Sequence, residues 1–141
     1  MISKTKIVIA SILFLIPSSI FAADWVKVAA NESGDVFYYD KESLKFAGRE
    51  VFFLRLTDNV EPLPTGALSS VVYNKFHCIE QTRTDLASYY YSLPMGNGEE
   101  IHSFNRKKTV KIDLNTDSVM SYLFLTLCIA ALQNNKKIED E

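Results

Sequence analysis

Hydrophobic and polar residues alternate through most of the chain after residue 23, and this alternation predicts β-strands. The first two predicted strands, over 24–30 and 35–40, are separated by a turn sequence, Asn-Glu-Ser-Gly. A third strand is predicted over 50–58. The two prolines in the segment that follows are typical of a surface loop, because proline cannot donate to a sheet ladder.

Two longer segments rich in β-forming residues follow, over 69–79 and 82–92, and only the pair Glu80 and Gln81 separates them. This spacing predicts an antiparallel hairpin, although Glu-Gln is not a favoured turn pair. A Pro-Met-Gly-Asn-Gly turn comes next, and residues 99–114 are long enough for one or two further strands. The pattern therefore predicts a sheet of about six strands.

The periodicity changes after the capping sequence Thr-Asp-Ser at 116–118, where apolar residues recur at helical spacing. The segment 119–132 is apolar on nearly every side, so we expect this one helix to be covered on more than one side. The sheet can cover one side and a partner subunit another. Residues 134–141 are polar and charged, which predicts a frayed tail. The expected fold class is α+β, mainly β.

The first 22 residues have the three-part layout of a cleavable signal peptide. Lys4 and Lys6 precede the apolar run 7–16, and Pro17 breaks that run before the small residues that end the segment. The run is shorter than the about 20 residues that a membrane-spanning helix needs. We expect an exported protein with no integral membrane segment after cleavage, which falls after either Ala22 or Ala23.

No cysteine occurs in this leader, so the lipid-bearing cysteine of a bacterial lipoprotein is absent from it, and the expected location is the periplasm or the cell surface. The predicted division of the chain is a signal peptide at 1–22, one β domain at 23–133 and the polar tail at 134–141. A mature chain of about 118 residues has the size of one domain.

Signal removal would leave 13 lysines and arginines against 17 aspartates and glutamates, a net charge of −4. An acidic chain of this kind argues against nucleic acid as a partner.

Cys78 and Cys128 are the only cysteines of the chain, and both lie in the mature part. Export to an oxidising compartment favours a disulfide between them. Closing a loop of this length would remove unfolded-state entropy equivalent to about 4 kcal/mol. The spacing is not the C-x-x-C of a redox enzyme, and two cysteines are too few for a structural zinc site.

Candidate catalytic and metal-binding residues are few. His77 and His102 are the only histidines, and neither lies in a spaced set of metal ligands. The chain has no G-x-S-x-G nucleophile elbow, no glycine-rich phosphate loop and no H-E-x-x-H sequence. We therefore expect no cofactor, no metal and no enzymatic activity.

Two groups of residues are candidates for macromolecular binding. The basic residues Arg106, Lys107, Lys108 and Lys111 suit a sulfated glycan, an anionic lipid or an acidic protein surface. The alternative is an edge strand whose positive charges discourage aggregation.

The second group is the run of tyrosines at 89–91. Successive strand residues point to opposite faces, so Tyr89 and Tyr91 share one face and Tyr90 lies on the other. One set is expected in the core, and the other is either a recognition surface or covered by the helix or a second subunit.

The order and spacing of several short segments resemble the surface-adhesin protein E family of bacterial envelope proteins. These segments are Trp25, Tyr39-Asp40-x-x-Ser43-Leu44, Gly66-x-x-Ser69, Tyr91-Ser92-x-x-Met95-Gly96-x-Gly98 and Cys128. The resemblance covers residues 25 to 128. It implies a single twisted antiparallel sheet of about six strands, a C-terminal helix tied to it by a Cys78–Cys128 bridge, and a tendency to dimerise.

The resemblance also implies a function, because the family's named member is a lipid-anchored adhesin that binds host matrix and serum proteins. The first hypothesis is therefore an exported, non-catalytic binding protein that engages host or envelope macromolecules. The alternative is a periplasmic homodimer with a structural or accessory role, whose apolar surfaces are consumed by its own interface.

Overall fold

The protein is described from a computed structural model that covers residues 23–139, so the expected signal peptide lies outside the described residues. The described chain contains eight β-strands followed by one α-helix. Their bounds are β1 Trp25–Ala30, β2 Val36–Asp40, β3 Lys45–Ala47, β4 Glu50–Asp58, β5 Ser69–His77, β6 Thr82–Tyr91, β7 Glu100–Phe104, β8 Lys108–Lys111 and α1 Val119–Glu139.

All strands belong to one antiparallel sheet. Its main path has six strands in the order β1-β2-β4-β5-β6-β7, while β3 pairs with β4 and β8 pairs with β6. The predicted class is confirmed: the fold is mainly β, with one sheet that is not closed and one C-terminal helix.

The two edges of the sheet are irregular. β7 and β8 share one side of β6, with β8 paired to its first residues and β7 to its last. The opposite edge is β1, whose pairing with β2 shifts register between Lys27 and Ala29. Neither edge therefore offers a long regular strand.

β3 was not predicted from the sequence. It is three residues long, and Gly48, with a φ of 61°, makes the turn that returns the chain into β4. Lys45 pairs with Phe52 across this turn. Three residues are too few to show an alternation, so only the turn itself carried a sequence signal.

The predicted two-residue connection between β5 and β6 is wrong. β5 ends at His77 and β6 begins at Thr82, so four residues connect them. Cys78 directly follows β5: its N–H donates to the carbonyl oxygen of Arg49, at 2.9 Å, and its side chain is bonded to the helix. Gln81 completes the connection with a φ of 53°.

The core lies between α1 and the sheet face that carries Val51, Phe53 and Phe76. The ring centroids of Phe53 and Phe76 are 4.7 Å apart, and Phe124 of the helix meets Phe76 edge-on at 5.2 Å. Leu127 is also fully enclosed. This contact removes one side of an otherwise apolar helix from water, which is the main stabilising term available to it.

A disulfide joins Cys78 to Cys128 within this contact, as the sequence predicted, with 5.7 Å between the two Cα atoms. It links the end of β5 to the middle of α1. The helix is thus tied covalently to the sheet at the centre of its length.

The segment predicted as a polar tail belongs to α1 as far as Glu139. The Asn135 side-chain amide donates to the carbonyl oxygen of Gly48 at 2.9 Å and holds the last turns against the β3–β4 connection. At its other end the helix begins as predicted: the Ser118 hydroxyl oxygen accepts a hydrogen bond from the backbone N–H of Ser121.

Within residues 23–139, no helix combines the length and the hydropathy needed to cross a membrane.

Replacing both Cys78 and Cys128 by alanine should lower the free energy of unfolding by about 4 kcal/mol, because the 50-residue loop is no longer closed in the unfolded chain. Urea unfolding followed by circular dichroism measures the change. The wild-type protein under reducing conditions is the matched control and should unfold at the same urea concentration as the double variant. An unchanged urea midpoint in the double variant would show that the disulfide does not stabilise the helix–sheet contact.

Candidate functional site

The helix covers only part of the sheet face on which it lies. Alternation along β4 places Val51, Phe53, Arg55 and Thr57 on this face. The first two are in the core under α1. Arg55 instead lines an open cleft beside the start of the helix. The sheet face is therefore apolar under the helix and polar next to the helix start.

The cleft has a volume of about 720 Å³. Its walls are the β1–β2 turn, the sheet and the first turn of α1. The lining residues are Ala30, Asn31, Glu32, Ser33, Phe37, Arg55, Arg83, Asp117, Ser118, Val119 and Met120. Volumes of this order hold small ligands or parts of larger ones.

Arg55 is held by neutral partners. Its Nε donates to the side-chain oxygen of Asn74 at 3.0 Å, and one of its terminal nitrogens donates to the Thr57 hydroxyl at 3.3 Å. Among the described residues it forms no salt bridge. The guanidinium is therefore positioned without being neutralised.

Asn74 connects Arg55 to a carboxylate on the neighbouring strand β6. It is fully buried on β5, and its side-chain nitrogen donates to an Asp85 carboxylate oxygen at 2.6 Å. The same Asp85 lies beside Arg83, whose Nε is 2.9 Å from it. That Nε is buried and, in the part of the chain the structure describes, poorly aligned for a hydrogen bond, whereas Nη2 of Arg83 donates to the other Asp85 oxygen at 3.4 Å.

The hydrogen-bonded cluster within the site has two guanidinium groups and one carboxylate, that of Asp85, while the carboxylates of Glu32 and Asp117 lie at the exposed rim of the cleft. The pKa of Arg55 is lowered to about 10, first by burial and then by the positive charge of Arg83, with Asp85 opposing the shift. A lowered pKa means that the protein disfavours the charged form of this side chain. The cluster lacks one negative charge.

The structure places the predicted basic residues at the β7–β8 edge. Arg106 and Lys107 are exposed in the connection between these two strands. Lys108 and Lys111 lie three residues apart in β8 and thus on opposite faces, and the Lys111 ammonium donates to the carbonyl oxygen of Glu80 at 2.6 Å. The four residues therefore do not form a patch on one face, and their role in binding stays a prediction.

Tyr89 and Tyr91 lie on the sheet face opposite to α1, where they pair with Val71 and Ser69. Both are half-buried, and burial, followed by the charge of Glu100, raises the pKa of Tyr91. Lys111 pairs with the first residue of β6, so about 30 Å of strand separates it from Tyr91. The structure does not bring the two predicted groups together.

His77 and His102 are also far apart, at opposite ends of β6. His77 accepts a hydrogen bond from the backbone N–H of Glu80, at 3.1 Å. His102 stacks on Phe104, with 6.3 Å between ring centroids, and Phe104 meets Tyr90 edge-on at 5.8 Å. These three aromatic residues lie on the same face as Arg55, beyond the area that the helix covers.

The outer side of α1 is a second exposed surface. Tyr122, Leu125, Ile129 and Leu132 form an apolar stripe whose members are 59%, 44%, 54% and 63% exposed. Their spacing alternates between three and four residues, which places them on one line along the helix. The sheet covers only the opposite side of the helix. The sequence predicted that the helix would be covered on more than one side, and the described single chain does not supply the second cover.

Sequence reasoning missed the arginine cluster, although it left a signal. Arg55 follows Val51 and Phe53 at the inward-facing positions of one strand, and Asn74 occupies the equivalent kind of position before Phe76 in the next. A polar side chain at a core position is unusual unless a partner satisfies it. The identity of the partners depends on strand register, which the sequence pattern did not give.

Comparison with protein families shows that the surface-adhesin protein E model matches residues 25–129. A comparison with curated proteins finds no match.

Among solved structures, crystal form II of Haemophilus influenzae protein E is similar, with a TM-score of 0.60 and 19% sequence identity over 83% of this chain and 96% of that one. Another structure of Haemophilus influenzae protein E has a TM-score of 0.58 at 19% identity, over 83% and 92% of the two chains. Protein E from non-typeable Haemophilus influenzae has a TM-score of 0.51 at 18% identity, over 85% and 95%. At these identities the similarity establishes a shared fold.

Asn74→Ala should destabilise the protein by about 2 kcal/mol, because Arg55 and Asp85 each lose a buried hydrogen bond to it. Thermal and urea unfolding measure the change. Asn105→Ala is the matched control: Asn105 is exposed between β7 and β8, and its loss should cost less than about 0.5 kcal/mol. Equal effects of the two substitutions would contradict a structural role for the polar cluster.

Proposed function

The chain belongs to the surface-adhesin protein E family, and we propose that it is an exported, non-catalytic protein that binds a macromolecule at the bacterial surface. The observation that carries the proposal is the family match over residues 25–129, which spans nearly all of the described domain. A host matrix or serum protein is the partner class that we propose, in line with the family's description as surface adhesins.

The surface of the domain supports a binding role. One sheet face is only partly covered by α1, and its uncovered part carries both the arginine cleft and the aromatic group of Tyr90, His102 and Phe104. Phe104 is 53% exposed. Aromatic and arginine side chains are the residue types that contribute most to protein interfaces.

Arg106, Lys107 and Lys108 remain candidate contacts for an acidic partner, because they are exposed at the sheet edge next to this surface. Lys111, Tyr89 and Tyr91 are less favourable candidates. The ammonium of Lys111 is already bonded to a backbone oxygen, and the two tyrosines are half-buried on the other face.

A second candidate function is a homodimeric envelope protein with a structural or accessory role. The observation that favours it is the stripe of Tyr122, Leu125, Ile129 and Leu132 on the outer side of α1. The alternating three- and four-residue spacing is that of a helix–helix seam, and a second copy would present the same seam. Pairing of two stripes would bury the apolar side that the sheet leaves exposed.

Localisation tests the first proposal. We expect an antibody to the domain to label intact producing cells and an external protease to remove the label, because an adhesin must be accessible from outside. A periplasmic protein of the same cells is the control and must stay unlabelled. Recovery of the protein only from the soluble periplasmic fraction would contradict the surface role and leave the accessory role as the leading hypothesis.

The homodimer has its own test in analytical ultracentrifugation of the exported protein. Ile129→Glu places a charge at the centre of the stripe and should convert a dimer into a monomer, because the charge would be buried in the seam. Lys137→Glu is the matched control, since it lies on the same helix about 80° away from Ile129 around the axis. A wild-type protein that sediments as a monomer at every concentration would exclude this function.

A further inference from the structure

The geometry of the cleft between Arg55 and Arg83 points to a carboxylate-binding site that receives an acidic side chain of a partner protein. This inference rests on the proposed binding function, for which it names the contact site and the chemistry of the ligand. It concerns residues that are distinct from the exposed basic run at the β7–β8 edge.

The first argument is the charge balance of the half-buried cluster. Arg83 is paired with Asp85, whereas Arg55 has no ionic partner among the described residues, and a charge held away from water is costly unless it is paired. The Asp85 carboxylate already contacts Arg83 and the Asn74 amide. A single additional carboxylate would neutralise the cluster.

The second argument is the supply of free donors that face the cleft. A guanidinium has five N–H donors, and Arg55 uses one on Asn74 and one on Thr57. Its remaining donors have no acceptor among residues 23–139, while the side chain lines the cleft wall. The planar fork of an arginine fits the two oxygens of a carboxylate.

The start of α1 adds to the attraction. Val119 and Met120 line the cleft and belong to the first turn of the helix, whose backbone N–H groups lie at the positive end of the helix dipole. Ser118 satisfies the N–H of Ser121 but not those of the two preceding residues. The helix therefore contributes positive potential to a site whose charge the arginines provide.

The walls favour a single carboxylate on a side chain over a polyanion. Glu32 and Asp117 are exposed at the rim and would repel a chain of sulfates or phosphates, with its many charges, more strongly than a single carboxylate. Phe37, Val119 and Met120 provide apolar surface for the methylene groups of a glutamate and for its neighbours. The cleft thus suits an acidic residue within an apolar segment of protein.

The lowered pKa of Arg55 agrees with this assignment. Burial and Arg83 together disfavour its charge in the unliganded protein, whereas a bound carboxylate would favour it. Ligand binding should therefore raise the pKa of Arg55 back toward its ordinary value.

The test is a titration of the ¹⁵N-labelled protein, isolated after export, with the blocked peptide acetyl-Ala-Leu-Glu-Leu-Ala-amide. Arginine Nε–Hε signals are observed by NMR. The expected result is a saturable shift of the Arg55 and Arg83 signals with this peptide and none with the peptide that has Gln in place of Glu. Equal shifts with both peptides, or no shift with either, would overturn the carboxylate assignment.

Inorganic phosphate in a parallel titration distinguishes the source of the negative charge. We expect phosphate to bind more weakly than the peptide, because it makes no use of the apolar walls. Saturation of the same signals by phosphate at equal or lower concentration would overturn the assignment to a protein side chain and indicate a general anion site.

Arg55→Lys and Arg83→Lys keep the charge but remove the fork, and each should weaken peptide binding about tenfold, the equivalent of one charge-assisted hydrogen bond. Arg49→Lys, in the exposed β3–β4 connection, is the matched control and should bind as wild type. Thermal unfolding shows whether each variant is folded. Unchanged peptide affinity in folded Arg55→Lys and Arg83→Lys would contradict the site.

Failure of this site and failure of the proposed function give different results. If the protein is displayed on intact cells but does not bind the peptide, the proposed surface function stands and the carboxylate site is excluded. If the protein is confined to the periplasm, the surface function is excluded, whether or not the cleft binds the peptide.

Discussion

The attachment of α1 to one face of the sheet is the constraint on which the rest of the structure depends. A single open sheet has no stable core by itself, and Val51, Phe53 and Phe76 are buried only because Leu123, Phe124 and Leu127 cover them. The Cys78–Cys128 bond fixes where along its length the helix meets the sheet. The helix start is thereby placed beside Arg55, so the same attachment that forms the core also forms the cleft.

The cleft occupies the boundary between the covered and uncovered parts of one sheet face. Here the inward-facing positions carry Arg55, Asn74 and Arg83 instead of apolar residues. Within residues 23–139, the hydrogen bonds among these side chains leave some of their donors without an acceptor. Natural proteins depart from complete polar satisfaction mainly at functional sites.

The sequence predicted the fold well where its signals were local. The strand over 50–58 has the predicted bounds, and the cap at Ser118 and the turn after β6 lie where the residue types placed them. Apart from the short β3, the misses lie at long-range contacts, which a local pattern does not reveal. Cys78, in the loop between β5 and β6, is bonded to Cys128, and Asn135, in the helical part of the polar segment, donates to Gly48. The arginine cluster was missed for the same reason, since Arg55, Asn74 and Asp85 come from three strands and meet only in one register.

The interrupted edges of the sheet have a consequence for an exported chain that folds among many identical copies. An unbroken edge strand is a template on which other chains can add, and amyloid grows in this way. Here one edge is divided between a five-residue and a four-residue strand, and the other carries a register shift. A neighbouring copy can therefore align with only a few backbone groups at a time. Short, interrupted edges of this kind reduce the tendency of an open sheet to pair with its own copies, while its half-polar face stays exposed.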